Sequence, residues 1–244
     1  MKAAPQAQRG LLDLQAVDTA IAQLEHRRKA LPEHAQIAQG QKTRAQLSES
    51  IVAANTVVGD LELDLQKAEA DLVPVRERLV RDQQRVDSGT VTDGKQLTAL
   101  VDEIEHLKRR ISDLEDIQLE VMESHENATA EHARLVAERG EVEDSLRALI
   151  AARNEQVAVI DADLAQQHAA REQLAGSLPS DLIALYQRIA DRSGGVGVGL
   201  LQGRRCGGCQ LEATASALAA YQSAPADDVV RCEECDRILV REAA

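Results

Sequence analysis

The chain has 244 residues and a formal net charge of −13, from 28 lysine and arginine residues against 41 aspartate and glutamate residues. Two tyrosines are its only aromatic residues, although 44% of the residues are hydrophobic. This composition excludes a broad globular core, which normally uses large aromatic side chains, and the acidic charge disfavours tight non-specific DNA binding.

The first half of the chain carries a sevenfold apolar repeat. Between residues 47 and 79, apolar or small residues recur at alternating steps of four and three, an average of 3.5 residues. This spacing is typical of the seam of a left-handed coiled coil, and a weaker repeat precedes it at residues 14–31. Because proline removes a backbone hydrogen bond in a helix interior, we predict a break at Pro32 and a kink at Pro74 in a helix that continues.

A turn and a second long helix follow. Residues 87–94, DSGTVTDG, are the clearest turn signal in this half, and leucine, valine or alanine then recurs every seventh residue over residues 100–149. The second apolar position of each heptad, which completes the seam, becomes polar at Gln118, His125, His132 and Arg139. We expect these positions to face residues 37–55. Two long helices joined by a short loop fold back on each other, so we predict an all-α fold with a long antiparallel coiled-coil helical hairpin over residues 1–177.

The remaining residues, 178–244, are predicted to form a second, smaller domain. Ser180 or Asp181 is expected to cap a short amphipathic helix after the Leu-Pro pair at 178–179. Residues 193–203, SGGVGVGLLQG, are interpreted as a glycine-rich linker with a short strand near 198–201.

The cysteines give the strongest chemical signal in the sequence. They form two Cys-x2-Cys pairs, at Cys206, Cys209, Cys232 and Cys235. Four thiolates in this pattern can surround one ion tetrahedrally, which favours Zn²⁺ in a zinc ribbon with strands at 229–231 and 238–240. Such a site has no open coordination position, so its role is expected to be structural. A redox pair, a disulfide and an iron–sulfur centre are the alternatives.

The whole pattern resembles a known family. A coiled-coil hairpin, Leu-Pro, a helix with a tyrosine, a glycine-rich strand, CGGC and CEECDRIL together resemble the bacterial C4-type zinc-ribbon coiled-coil family. The resemblance implies that the four cysteines are zinc ligands, and it connects some members with flagellar or secretion machinery, an alternative sigma factor or RNA. Asp236 stands where a glycine is common, and aspartate tolerates the left-handed backbone conformation expected there.

We predict a non-enzymatic, zinc-binding adaptor or chaperone-like protein whose coiled-coil arm binds a protein partner, with no small-molecule substrate. No nucleophile, base and orienting group can be assembled from the sequence. The alternative is a nucleic-acid binding protein that uses the ribbon with Arg204, Arg205 and Arg231 in transcription or post-transcriptional regulation. The sequence shows no signal peptide and no membrane-spanning stretch, so we expect a cytoplasmic protein without membrane contact.

Overall fold

The computed structural model describes residues 1–241, and the last three residues of the predicted second domain, 242–244, lie outside the described residues. The described part is mostly helical and carries one small sheet. Its elements, in chain order, are α1 (Pro5–Lys29), α2 (Pro32–Asp87), α3 (Gly94–Gly176), α4 (Ser180–Arg192), β1 (Val198–Gln202), β2 (Arg205–Cys206), α5 (Ala215–Ser223), β3 (Val230–Arg231) and β4 (Ile238–Arg241). The predicted fold class, a helical hairpin with a small C-terminal ribbon, is confirmed.

Proline and glycine set the helix boundaries largely as expected. The chain leaves the helical conformation after Lys29 and re-enters it at Pro32, whose missing N–H costs nothing in the first turn. Helix α2 continues through Pro74. At the start of α4, however, Pro179 occupies the N-cap position with an extended backbone, and Ser180 is already helical. The N-cap position is therefore not Ser180 or Asp181 as expected, but the Asp181 carboxylate accepts a hydrogen bond of 3.0 Å from the Leu182 N–H in the first turn.

Contacts within the described chain define two compact units: Met1–Ala35 together with the chain from Ile150 onward, and Gln36–Leu149. The predicted domain boundary between residues 177 and 178 stays a prediction. Within residues 1–241, no helix is both long enough and apolar enough to cross a bilayer.

In the unit Gln36–Leu149, α2 and α3 pair as an antiparallel hairpin. Their seam buries apolar residues of the sevenfold repeats, which are Leu47, Ala68, Leu72, Ile104, Leu107, Leu114, Leu135 and Leu146. Gly40 lets the helices approach closely, because a Cβ there would lie 2.7 Å from Leu146 Cδ2. The Arg76 guanidinium lies 2.6 Å from the Glu115 carboxylate across the pair.

One polar seam position, His125, lies opposite a part of α2 beyond residues 37–55. His125 Nε2 is 3.8 Å from Glu62 Oε1. The register follows from the loop, since α2 ends at Asp87 and α3 begins at Gly94. The expectation that this seam faces residues 37–55 is therefore wrong at His125 and stays a prediction at the other three polar positions.

In the other unit, a four-stranded sheet with the order β2-β1-β4-β3 carries the cysteines. Strands β1 and β4 are parallel, with Val198 opposite Ile238, and each has a short antiparallel neighbour. One face of this pair packs against α1 and α4. The fully buried side chains in that layer include Leu11, Leu14, Leu182, Tyr186, Ile189, Val198, Ile238 and Val240.

Candidate metal centre

The structure brings the four predicted ligands together. Cys206 ends β2 and opens the first Cys-x2-Cys turn, and the second turn lies between β3 and β4. All four Sγ atoms lie within 4.8 Å of one another. The Sγ atoms of Cys206 and Cys235 are 4.0 Å apart, as are those of Cys209 and Cys232. Cysteines from two distant turns thus share one small volume.

These separations match the demands of a single tetrahedral ion. Four metal–sulfur bonds of about 2.3 Å at tetrahedral angles place sulfur atoms about 3.8 Å apart. A disulfide requires an S–S distance near 2.05 Å, and none of the four cysteines is disulfide-bonded. The disulfide alternative therefore does not describe this site. The donor set fits one thiophilic metal ion, held by Cys206, Cys209, Cys232 and Cys235.

The two cysteine turns have the same backbone geometry. In each, the N–H of the first cysteine donates to the carbonyl five residues on, and that cysteine's carbonyl accepts from the N–H four residues on, at distances of 2.8–3.0 Å. The residue four positions on has a positive φ, 63° at Gln210 and 62° at Asp236. The left-handed conformation expected at Asp236 is confirmed. Sequence reasoning missed Gln210, because glutamine carries no signal for that conformation.

Glycines let β1 touch the first cysteine turn. A Cβ on Gly199 would lie 2.4 Å from Gly208 N, and the Gly207 N–H donates to Leu200 O at 2.8 Å. A Cβ on Gly197 would lie 2.7 Å from the ring of Tyr186. The expected strand is present. Close packing requires glycine at Gly197, so the flexible-linker interpretation does not hold there. It stays a prediction for Gly194 and Gly195, where an added Cβ would meet nothing within 4 Å.

Arg237 links the second cysteine turn to residues 193–196 by hydrogen bonds. Its Nε donates to Val196 O and its terminal nitrogen to Ser193 O, both at 2.8 Å. Burial opposes ionisation of Cys235, but hydrogen bonds from the backbone and side chain of Arg237 lower the pKa of that thiol to about 7. Burial raises the pKa of Cys232 to about 12. A bound cation would favour the thiolate at every ligand.

Helix α5 covers the cysteine cluster. Thr214 caps the helix through a hydrogen bond from the Ala217 N–H to its hydroxyl. The buried Tyr221 hydroxyl accepts a hydrogen bond of 2.9 Å from the Glu233 N–H, inside the second turn. From the sequence, the segment between the two cysteine pairs could be either a helix or a loop. In the structure it contains a helix that covers the sulfur atoms.

The N-terminus pairs with the segment that leads into the second turn. The Ala3 N–H donates to Asp227 O at 2.8 Å, and the Val229 N–H donates to Met1 O at 3.1 Å. Lys2 Nζ lies 2.9 Å from the Asp227 carboxylate. Nothing in the sequence signals this pairing, which joins residues 225 positions apart.

Two of the three arginines predicted to contact nucleic acid are paired with carboxylates. Arg231 is bonded to the Asp236 side chain and, through Nε, to the Asp236 carbonyl. Arg205 lies 3.7 Å from the Glu212 carboxylate. Of the three, only Arg204 forms no ion pair within residues 1–241.

Comparison with known proteins shows which families share this architecture. The family model of the CT398-like coiled coil hairpin domain matches residues 14–194, and that of the C4-type zinc ribbon domain matches residues 205–239. The uncharacterized Mycobacterium tuberculosis protein Rv2229c is 37% identical over 99% of this chain and 98% of its own length. The uncharacterized Mycobacterium leprae protein ML1638 is 31% identical over 91% of this chain and 95% of its own length. These matches indicate no enzyme family.

Solved structures show the same fold. A structure from Mycobacterium smegmatis has a TM-score of 0.83 and 34% identity, and the match covers 99% of this chain and 100% of that one. CT398 from Chlamydia trachomatis has a TM-score of 0.69 at 18% identity, with 97% of this chain and 98% of that one covered, which supports the fold alone. The chain therefore belongs to the CT398-like coiled-coil hairpin family and ends in a C4-type zinc ribbon domain.

Proposed function

We propose that this protein is a non-enzymatic, zinc-binding adaptor whose long coiled-coil hairpin presents a surface to a protein partner. The observation that carries the proposal is the set of apolar side chains that α2 and α3 leave exposed outside their seam. Those in the unit Gln36–Leu149 include Val52, Leu63, Val73, Val80, Ile117, Leu119 and Met122. Large apolar side chains on an outer helix face are typical of interaction surfaces when they cluster, and Ile117, Leu119 and Met122 lie within six residues of α3.

Zinc is the ion that best suits the four thiolates. Four sulfur donors in tetrahedral contact distance favour zinc or iron over magnesium and calcium, and the match to a C4-type zinc ribbon supports zinc. With all four positions filled by protein, the ion would leave no site for water or substrate. Its contribution is therefore to stabilise a small module with little apolar mass of its own.

One cavity beside the ribbon offers little for catalysis. A cavity of about 620 Å³ is lined by Gln8, Arg9, Gln222 and Arg241 together with apolar and glycine residues. This lining has no carboxylate, histidine, serine or cysteine to act as acid, base or nucleophile. Arg241 donates to backbone carbonyls at Tyr221, Ala224 and Asp228 and is thereby engaged in structure.

The nucleic-acid alternative receives less support. Carboxylates beside Arg205 and Arg231 would compete with phosphate, and the chain's net charge of −13 adds repulsion. Arg237 is also engaged, by two backbone carbonyls. A nucleic-acid interface would need several free cations, and binding would fall steeply with salt.

The adaptor proposal is tested by shortening the hairpin. Deletion of residues 54–74 and 112–132 removes matched heptads from both helices and retains the phase of each seam. Affinity capture from the native lysate, followed by mass spectrometry, should lose partners that the full chain retains. Unchanged zinc content and a helical far-ultraviolet signal would show that the shortened chain is folded. A capture pattern that does not depend on these residues contradicts the proposal.

A further inference from the structure

The middle of the hairpin carries most of the protein's net charge. Residues 60–71 of α2 and 113–126 of α3 contain 11 acidic residues and one basic residue, Lys67, for a net charge of 1 − 11 = −10. The other residues of the chain together contribute only −3 of the total −13. The contact of His125 with Glu62 joins the two segments, and the contact of Glu115 with Arg76, just beyond residue 71, agrees with their antiparallel alignment. We refer to residues 60–71 and 113–126 as the acidic belt.

Most carboxylates of the acidic belt have no cationic neighbour. Glu62, Asp64 and Glu115 lie near His125, Lys67 and Arg76 respectively. The other eight acidic side chains of the belt form no ion pair within residues 1–241, and no lysine or arginine occurs from residue 111 to 133. Like charges at helical spacing repel one another, so this arrangement costs stability in the free protein. A cationic partner would relieve that repulsion.

Apolar side chains project from the same surface. Leu119 is 61% exposed and Met122 43% exposed. With Glu115 and Glu126 they occupy positions at steps of four, three and four, which is one face of α3. The buried Leu114 faces the seam instead. Across the hairpin, Leu63 is 55% exposed on α2. The belt thus combines exposed aliphatic groups with carboxylates that border them.

The segment next to the turn differs in charge. Residues 76–110 carry eight lysine and arginine residues and seven acidic residues, so exposed Val80 and Val101 lie in a mixed-charge setting. Charge complementarity therefore distinguishes the acidic belt from the rest of the hairpin as the place where a basic segment is attracted. The alternation of aliphatic and acidic positions at helical spacing matches a helix with the opposite charge.

We propose that the acidic belt is the docking surface for a basic amphipathic helix of a partner protein. Aliphatic side chains of that helix would pack on Leu119 and Met122, and its lysines or arginines would pair with Glu123, Glu126 and neighbouring carboxylates. This inference rests on the proposed adaptor function and specifies the chemistry of the partner. Nucleic acid is repelled by the same charge.

The test uses the full chain and a fluorescent amphipathic peptide of about 18 residues in which leucine and lysine alternate at helical spacing. Two matched peptides are the same pattern with glutamate for lysine, and a scrambled peptide of the same leucine and lysine content. Fluorescence anisotropy should show binding of the amphipathic lysine peptide alone. The combined Leu119→Gln and Met122→Gln changes should weaken binding about tenfold, and Asp116→Asn with Glu123→Gln should weaken it about as much at low salt.

Matched control variants come from exposed sites of the same chemistry outside the belt. Val159→Gln and the pair Asp163→Asn with Glu172→Gln should leave the affinity within about twofold. Because every substituted side chain is exposed, circular dichroism and zinc content should match those of the unchanged protein.

Several results would overturn the inference. These are equal binding of the scrambled peptide, equal binding by the Leu119 and Met122 variant, or no binding at all. Light scattering that shows a dimer dispersed by the same variant would assign the belt to a second copy of this chain instead. If the peptide fails to bind while the shortened hairpin still loses its captured partners, the acidic belt is excluded and the adaptor function stands.

Discussion

The Tyr186 hydroxyl donates a hydrogen bond of 2.7 Å to the Asp18 carboxylate, and so ties α4 to α1 across 168 residues of sequence. Tyr186 is fully buried, and Asp18 also accepts a hydrogen bond of 2.6 Å from Arg171 of α3. Gln15, one turn before Asp18, accepts from the Gly197 N–H and donates to the Gly195 carbonyl. One polar network therefore joins three helices to the glycine segment that leads into the ribbon.

Removal of the tyrosine hydroxyl should destabilise this unit. In Tyr186→Phe, Asp18 retains Arg171 but loses a buried hydrogen bond to a charged acceptor, which is worth about 2 kcal/mol. Denaturant unfolding can be followed through the fluorescence of Tyr221, the one tyrosine that remains, which lies in the same unit. Gln187→Ala, which removes an exposed hydrogen bond to Arg171, should cost less than about 0.5 kcal/mol. Equal effects of the two changes would contradict the role of the buried pair.

The same tyrosine predicts a loss of stability at alkaline pH. Burial, reinforced by the hydrogen bond to Asp18, raises the pKa of Tyr186 well above its ordinary value. An unfolded tyrosine ionises near pH 10. The stabilisation from the raised pKa is therefore complete below about pH 10 and falls as the pH rises further, by up to about 1.4 kcal/mol per pH unit. The difference in unfolding free energy between the unchanged protein and Tyr186→Phe should shrink from pH 9 to pH 11, and a constant difference would refute this prediction.

Substitution of one metal ligand should unfold the ribbon and spare the hairpin. Cys232→Ser removes one of the four sulfur donors, so zinc content by plasma mass spectrometry should fall from about one per chain toward zero. Most of the helical far-ultraviolet signal should remain, because the α2 and α3 seam does not depend on the ion. Gln210→Gly, at a position with φ of 63°, should retain zinc since glycine favours that conformation. Unchanged metal content in Cys232→Ser would remove the ligand assignment.

The contact between β1 and the first cysteine turn should be intolerant of a methyl group. In Gly199→Ala, the added Cβ would meet Gly208 N at 2.4 Å, and the backbone of the turn would have to shift. We expect a loss of about 2 kcal/mol and faster zinc release to a chromogenic chelator. Gly176→Ala is the matched control, because a Cβ there meets nothing within 4 Å. Equal zinc release by the two variants would show that this contact does not support the site.

Local patterns in the sequence determined the helices and the composition of the site. The sevenfold repeats specify helices that bury one stripe, and Pro32 and the DSGTVTDG segment place the two breaks, because these signals act within a few residues. The spacing of the cysteines likewise specifies two short turns that each direct a pair of thiolates. The left-handed conformation at Asp236 follows from the family resemblance, in which glycine is common at that position, and from the tolerance of aspartate for it.

Only the tertiary structure decided which distant residues meet. The bond from Tyr186 to Asp18, the pairing of Ala3 with Asp227 and the contact of Gly199 with Gly208 depend on how α1, α4 and the sheet pack together. These residue types also occur on solvated surfaces, and two of the three contacts involve the backbone, so residue type does not indicate them. Periodicity records which face of an element is buried, whereas the partner on that face is fixed by the packing of the whole unit.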